Sequence, residues 1–149
     1  MEYRHTQISS VIIALVLILI ALNLYAYLKI PTFHLLRLIV MVNLVIFVIM
    51  LALFYSLTVE IKNKTLTCQF GLGFIRKKIP LPTVQEVREV RNPWYAGWGI
   101  HWVPGKYWLW NVSGFRAVEL VFKDGKRFRI GTDEPESLIR AIENNKTVS

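Results

Sequence analysis

The first 59 residues of this 149-residue chain almost lack charge. They contain only Glu2, Arg4, Lys29 and Arg37, whereas 24 of the 28 Lys, Arg, Asp and Glu residues lie from Glu60 onward. With 54% hydrophobic residues overall, the composition excludes a disordered chain and a collagen-like repeat. The uneven distribution also excludes a uniformly soluble globule. The sequence therefore predicts a membrane-embedded first part and a water-soluble second part.

Residues and motifs typical of catalytic, metal or cofactor sites are also scarce. Cys68 is the single cysteine, which excludes an internal disulfide and a thiolate metal cluster. The histidines, His5, His34 and His101, have no partner at the i+3 or i+4 spacing of a helical metal site. The segment 71–73 has two glycines but lacks the Gly-Lys-Ser/Thr of a phosphate-binding loop, and no serine lies in a Gly-x-Ser-x-Gly turn. We therefore predict no catalytic residue, metal site or cofactor, and we do not expect an enzyme.

Two long apolar runs, residues 8–28 and 35–57, stand out in the first part. As helices they extend about 31 and 34 Å, which matches a hydrocarbon core about 30 Å thick. Arg37, the one charge in either run, lies near its start and can snorkel to the headgroups. The first run is longer than the apolar region of a signal peptide, and no small-x-small cleavage site follows it. Both runs are predicted to be retained transmembrane helices.

The connection at residues 29–34 is short and contains Pro31, which predicts a tight helical hairpin. The distribution of Lys and Arg favours both termini in the cytoplasm, as expected for a multi-pass protein of the plasma (inner) membrane. Asn23 and Asn43 are the only amides in the two runs. Because an unpaired amide is costly in lipid, we expect each to form an interhelical or intermolecular hydrogen bond.

From residue 58 the sequence changes to short alternating segments. Asn63-Lys64 and Asp124-Gly125 predict hairpin turns, the second a tight primed turn with positive φ at the glycine. Residues 84–91 fit either a strand or a short helix. Asp133 and Glu136 have the spacing of a capping box at the start of a C-terminal helix. We predict a domain at 58–149 with about seven short antiparallel strands and one capping helix, after a tail and two helices at 1–57.

Four segments, 79–81, 90–99, 111–114 and 128–136, resemble small bacterial integral-membrane proteins that carry a pleckstrin-homology-like (PH-like) domain after a two-helix anchor. The resemblance covers about residues 10–145. It implies a membrane helical hairpin followed by a mainly-β PH-like domain, and it supplies no catalytic residues. The phosphoinositide site of eukaryotic PH domains does not transfer, because the Asn63-Lys64 turn is short and has no basic cluster.

All five tryptophans lie between residues 94 and 110. Neighbouring residues of a strand point to opposite faces, so a core accounts for only part of them. We expect at least two of Trp94, Tyr95 and Trp98 to be accessible, and we predict a contact surface made of Trp94, Tyr95, Trp98, Trp108 and Trp110.

Three functions fit this aromatic segment. The first is a membrane-anchored PH-like interaction module, a scaffold or accessory protein that binds a protein partner or self-associates through residues 94–110. The alternative is a module that engages lipid headgroups at the anionic inner leaflet, which suits the net charge of +8. A subunit of a transport or enzyme complex comes third. Nucleic acid is not an expected partner, because no helix-like stretch carries a Lys/Arg stripe.

Overall fold

The protein is described here by a computed structural model that covers residues 2–29 and 34–147. The α-helices are α1 (Ser10–Lys29), α2 (His34–Phe54) and α3 (Pro135–Thr147). The strands are β1 (Tyr3–Ile8), β2 (Ser56–Lys62), β3 (Thr65–Phe70), β4 (Ile75–Pro80), β5 (Val84–Arg91), β6 (Gly99–Val103), β7 (Tyr107–Asn111), β8 (Arg116–Phe122) and β9 (Arg127–Gly131). Short 3-10 turns lie at Leu81–Thr83 and Trp94–Ala96.

The two N-terminal helices are long and apolar enough to cross a membrane. They contain 20 and 21 residues with hydropathies of 2.7 and 2.8, and no described residue of either is buried. The predicted bounds differ at the ends, because Ile8 belongs to β1 and Ser56 and Leu57 belong to β2. The predicted turn falls mostly at residues 30–33, outside the described residues. Among the residues described, no hydrogen bond joins Asn23 to Asn43. The interhelical alternative is therefore not seen, the intermolecular one stays a prediction, and the Asn23 amide donates to the Leu19 carbonyl of its own helix at 3.2 Å.

The N-terminal segment is a strand, and the prediction of a simple tail was wrong. β1 pairs antiparallel with β2, from Tyr3 opposite Ile61 to Ile8 opposite Ser56. Its inward-facing residues include His5 and Gln7, so the sequence lacks an alternation of apolar residues that would predict a strand. This pairing places the start of α1 and the end of α2 at the same edge of the domain. The chain therefore leaves and re-enters the β domain on one side, as the hairpin prediction required.

The strands form two sheets. Sheet A has the order β1-β2-β3-β4, and sheet B has the order β5-β8-β9-β7-β6. The part of the chain predicted to form about seven strands holds eight in the described residues, β2 to β9, and β1 makes a ninth. β7 pairs with β9 in parallel, so the prediction of an all-antiparallel domain was wrong. The parallel pair arises because the chain passes through β8 before β9 returns beside β7. Residues 84–91, which the sequence left open, form strand β5.

The core lies between the two sheets and is closed by α3. Along each strand, core residues alternate with residues that face away from the core, as a half-buried sheet requires. Sheet A contributes Leu57, Val59, Ile61, Leu66, Cys68 and Phe70; sheet B contributes Trp110, Val118, Leu120, Phe128 and Ile130; α3 contributes Leu138 and Ile142. The amphipathic face of α3 therefore covers the side of the sandwich that the strands leave open.

The turns are partly as predicted. The hairpin expected at Asn63 and Lys64 joins β2 to β3, and the φ values of 49° and 56° make it a two-residue primed turn. Gly125 has the expected positive φ of 81°, but Asp124 does not, and the Gly125 N–H donates to the Phe122 carbonyl at 2.9 Å. The β8–β9 connection is therefore a wider turn that ends in a left-handed glycine rather than a primed turn.

The predicted capping box at the start of α3 was wrong. The Asp133 carboxylate accepts a 2.6 Å hydrogen bond from His5, and Glu136 pairs with Arg116. The hydroxyl of Thr132 instead accepts the hydrogen bond of the Glu134 N–H, at 3.1 Å. The two acidic side chains therefore tie α3 to β1 and β8.

Candidate functional site

The β sandwich has a proximal end, defined as the end from which α1 and α2 leave. The β3–β4 turn lies at this end, directly against α2. A Cβ atom on Gly71 would lie under 3.0 Å from the backbone oxygens of Ala52 and Leu53, and Gly71 has a φ of +45°. Only glycine fits this contact without displacing backbone. The sheets therefore begin at the ends of the helices, with no flexible linker between them.

The aromatic loop, residues 92–98, crosses the outer face of sheet B. It must do so because it joins β5 and β6, the two opposite edges of that sheet. The Asn92 N–H donates to the Phe115 carbonyl at 2.7 Å, and the Asn111 amide donates to the Gly97 carbonyl at 3.3 Å. Ala96 is buried beneath the loop. These contacts hold both ends of the loop against the β7–β8 connection.

That connection lies beside the start of α1. The Ser9 hydroxyl donates to the Val112 carbonyl at 2.5 Å, and the Gln7 amide donates to the Ser113 carbonyl at 3.4 Å. Since the aromatic loop is bonded to the same connection through Asn92 and Gly97, both ends of the loop lie at the proximal end of the sandwich.

The exposed apolar side chains of this end form what we call the proximal rim. Trp94 is 81% exposed and Tyr95 is 75% exposed, which confirms that at least two aromatic residues of the loop are accessible. Phe74, in the β3–β4 turn, is 78% exposed. The rim consists of Leu72, Phe74, Trp94, Tyr95 and Phe115. The three connections that face the helices therefore all present large apolar groups to the surroundings.

Trp98 and Trp110 differ from the rest of the predicted contact surface. Trp98 is partly covered, and its carbonyl lies 2.9 Å from the imidazole of His101. Trp110 is only 7% exposed and packs against the rings of Phe70 and Phe128, with centroids 5.1 and 5.8 Å away. Trp110 therefore belongs to the core, and its predicted role in a contact surface was wrong.

Trp102 and Trp108 form a second exposed aromatic feature, the indole pair. Their rings stack at 6.1 Å with an interplanar angle of 28°, and they are 60% and 46% exposed. Both indoles lie on the same face of sheet B as the buried Phe128. They remain exposed because β6 is an edge strand and this part of the face is not covered. Trp102 lies three residues along β6 from Gly99, about 10 Å from the proximal end at strand rise.

A groove with a volume of about 690 Å³ lies between the aromatic loop and the β6–β7 hairpin. Arg129, from β9, lies in this groove, and the Arg129 Nε donates to the buried Glu119 carboxylate at 2.6 Å. Arg88 contacts the same carboxylate from β5, at 2.9 Å through Nε. Burial raises the pKa of Glu119, but the hydrogen bonds and charges of Arg129 and Arg88 outweigh it and hold that pKa below its usual range.

The sequence did not single out this groove, because its walls come from three separated segments. The alternation of Arg127 and Arg129 with Phe128 and Ile130 does place both arginines on the outer face of sheet B. The sequence does not show that the aromatic loop crosses that face, because this path depends on β5 and β6 being opposite edges of sheet B.

Comparison of the chain with protein-family models, curated protein sequences and solved structures finds no match. Within residues 2–29 and 34–147, no group of three or more His, Cys, Asp or Glu side chains could hold a metal ion. The proximal rim, the indole pair and the groove are thus the candidate sites.

Proposed function

We propose that the chain is an integral membrane protein that holds a PH-like β domain against the cytoplasmic face of the plasma membrane, through a helical hairpin and an aromatic rim. The hairpin is supported by the helices themselves. Their apolar side chains face outward along their whole length, and no described residue of either is buried. Lipid tails are the solvent in which such a surface is stable.

A cleaved signal sequence does not fit the position of β1. This strand precedes α1 and forms the edge of sheet A, where it pairs with β2 along six residues. Cleavage after α1 would remove the edge strand together with the Ser9–Val112 hydrogen bond. The first helix is therefore proposed to be a permanent anchor.

The position of the proximal rim carries the proposal that the domain engages lipid. Only Tyr55 separates the end of α2 from the start of β2, so the proximal end of the sandwich meets the bilayer surface directly. Trp and Tyr are the side chains that favour the headgroup region, because they combine an apolar ring with a polar group. Of the functions that fit the sequence, the position of Trp94 and Tyr95 favours engagement of the lipid surface.

The charge distribution supports a cytoplasmic domain. Of the 18 Lys and Arg residues, 15 follow Val59, and only Lys29 and Arg37 lie near the other end of the hairpin. The positive-inside rule places the basic side in the cytoplasm, and the anionic inner leaflet attracts a basic domain. We propose no catalytic activity, cofactor or nucleic-acid partner.

The PH-like character of the domain rests on its outline, two packed sheets closed by a C-terminal helix. The parallel pairing of β7 with β9 and the fifth strand in sheet B depart from the simple antiparallel pattern that the resemblance implied.

A second function, binding of a protein partner or self-association, is favoured by the indole pair. Trp102 lies on the edge strand β6 and Trp108 lies on its neighbour β7. Both indoles are exposed and lie away from the proximal end, so a flat bilayer beneath the rim does not cover them. Exposed tryptophans beside an unpaired strand edge are typical of protein contacts. Trp102→Ser with Trp108→Ser should then weaken association between copies of the full chain in vesicles, measured by energy transfer between labelled copies.

The lipid contact is tested by fluorescence quenching of the full chain in phosphatidylcholine vesicles that contain lipids brominated near the headgroup. We expect Trp94→Phe to reduce the amount of tryptophan emission that is quenched, because the Trp94 ring lies at the depth of the quencher. The matched variant, Trp108→Phe, removes an exposed indole that lies away from the bilayer and should leave the quenched emission unchanged. Equal effects of the two substitutions, or none from Trp94→Phe, would contradict the proposal.

A further inference from the structure

The groove on the outer face of sheet B is lined by basic side chains and by no acidic one among the described residues. Arg91, Lys106 and Arg129 line it together with the rings of Tyr95 and Tyr107, and none of its described lining residues is Asp or Glu. A concave surface with one sign of charge concentrates ions of the opposite sign. The positive potential of the groove therefore attracts anions.

Arg129 is held in place at the floor of this groove. Its Nε donates to Glu119 at 2.6 Å, its Nη1 donates to the Asn92 side-chain oxygen at 3.3 Å, and its guanidinium lies 3.6 Å from the centroid of the Tyr107 ring. These contacts leave Nη2 with no acceptor among the described residues. A guanidinium fixed on one side with free donors on the other is prepared for a planar or tetrahedral oxyanion.

The charge of the site exceeds what the protein itself neutralises. The Glu119 carboxylate lies between the guanidiniums of Arg88 and Arg129, and Glu86 lies 4.0 Å from Arg88, so these four side chains balance one another. Arg91 and Lys106 add two positive charges, and neither side chain makes an ion pair or hydrogen bond within the described part of the chain. The amide nitrogen of Asn92, buried at the wall, also has no acceptor.

We propose that this groove binds a phosphate group esterified to a larger molecule. A phosphate monoester carries about −1.5 to −2 charges at pH 7 and three acceptor oxygens, which suits the surplus of cations and donors. The rings of Tyr95 and Tyr107 give the esterified group an apolar wall. A lipid headgroup and a soluble phosphorylated compound share this chemistry. Tyr95 belongs to both the rim and the groove, but the basic residues of the groove, Arg91, Lys106 and Arg129, lie outside the rim.

The test uses the full chain in nanodiscs of phosphatidylcholine and isothermal titration calorimetry at constant ionic strength. One arm titrates inorganic phosphate, and the other titrates dihexanoyl phosphatidic acid, with dihexanoyl phosphatidylcholine and empty nanodiscs as blanks. The groove variant is Arg91→Gln with Lys106→Gln, whose side chains hold no described structural contact. The matched control is Lys123→Gln with Arg127→Gln, which removes the same charge outside the groove.

We expect saturable binding that weakens about tenfold or more in the groove variant and less than about twofold in the control. Binding of inorganic phosphate would show that the phosphate group suffices, and binding of phosphatidic acid alone would assign the ligand to the lipid headgroup. Both results support the site. Failure of both probes to bind saturably, or equal weakening in the control, would overturn it. None of these titration results tests the contact of the rim with the bilayer, which the quenching experiment tests separately.

Discussion

Gly131→Ala should release the aromatic loop by displacing the side chain that holds it. A Cβ atom on Gly131 would lie under 3.0 Å from three side-chain atoms of Asn111. Gly131 does not have a positive φ, so alanine introduces no backbone strain there. The whole effect of the substitution is therefore expected to pass through Asn111.

The expected magnitude follows from the hydrogen bonds that Asn111 makes. Its amide donates to the carbonyls of Gly97 and Gly114 at 3.3 and 3.1 Å, and its oxygen accepts from the Ser113 N–H at 3.3 Å. Each such bond contributes about 1 kcal/mol, and a buried amide left without partners costs more. We expect Gly131→Ala to lower the free energy of unfolding by about 2–4 kcal/mol.

The assay is urea unfolding of the full chain in neutral detergent micelles, followed by tryptophan fluorescence, with the same substitution repeated in an Asn111→Gly background. Without the Asn111 side chain the new methyl group has room, so Gly131→Ala should cost less than about 0.5 kcal/mol there. Chymotrypsin should also cut faster at Tyr95 in the single variant, because the loop has lost its anchor. An equal cost in both backgrounds would refute the reasoning.

Two further predictions concern sheet B. Gly125→Val should lower the free energy of unfolding by about 1 kcal/mol or more, because a β-branched residue is strained at a φ of 81°; an unchanged urea midpoint would argue against this. Glu119→Gln should cost about 1–3 kcal/mol at pH 7, since it leaves Arg88 and Arg129 without their shared carboxylate. Because the folded pKa of Glu119 is depressed, that difference should stay constant above the ordinary carboxyl pKa and shrink as the pH falls below it, as unfolding at stepped pH would show. A difference that grew on acidification would contradict this assignment.

The long elements were predictable because their signals are local. Two runs of about 20 apolar residues predict α1 and α2 without any tertiary information. β1 was not predictable in this way, because its inward side chains include His5 and Gln7 and its partner β2 lies beyond the hairpin. The end of α2 was placed too late for a similar reason. Ser56 and Leu57 continue the apolar run, but pairing with β1 and β3 draws them into the sheet.

In the aromatic segment too, some features are predictable from the local sequence and others depend on tertiary packing. Alternation along a strand correctly predicts that not all indoles share one face. It cannot tell Trp108 from Trp110, which lie two residues apart on the same face. Trp110 is buried because Phe70 of sheet A reaches it, whereas the exposed Trp108 lies where that sheet gives little cover. Burial here depends on how far one sheet extends over the other.

The central claim, that the proximal rim lies in the bilayer interface, is most directly tested by the depth of a spin label at position 95. Cys68 is buried in the core, and burial raises the pKa of its thiol, so the native cysteine should not compete for the label. In the full chain in vesicles, a nitroxide on Tyr95→Cys should collide more with oxygen and less with a water-soluble nickel chelate than one on Lys123→Cys, at the opposite end of the sandwich. Equal, fully aqueous accessibility at both positions would contradict the account.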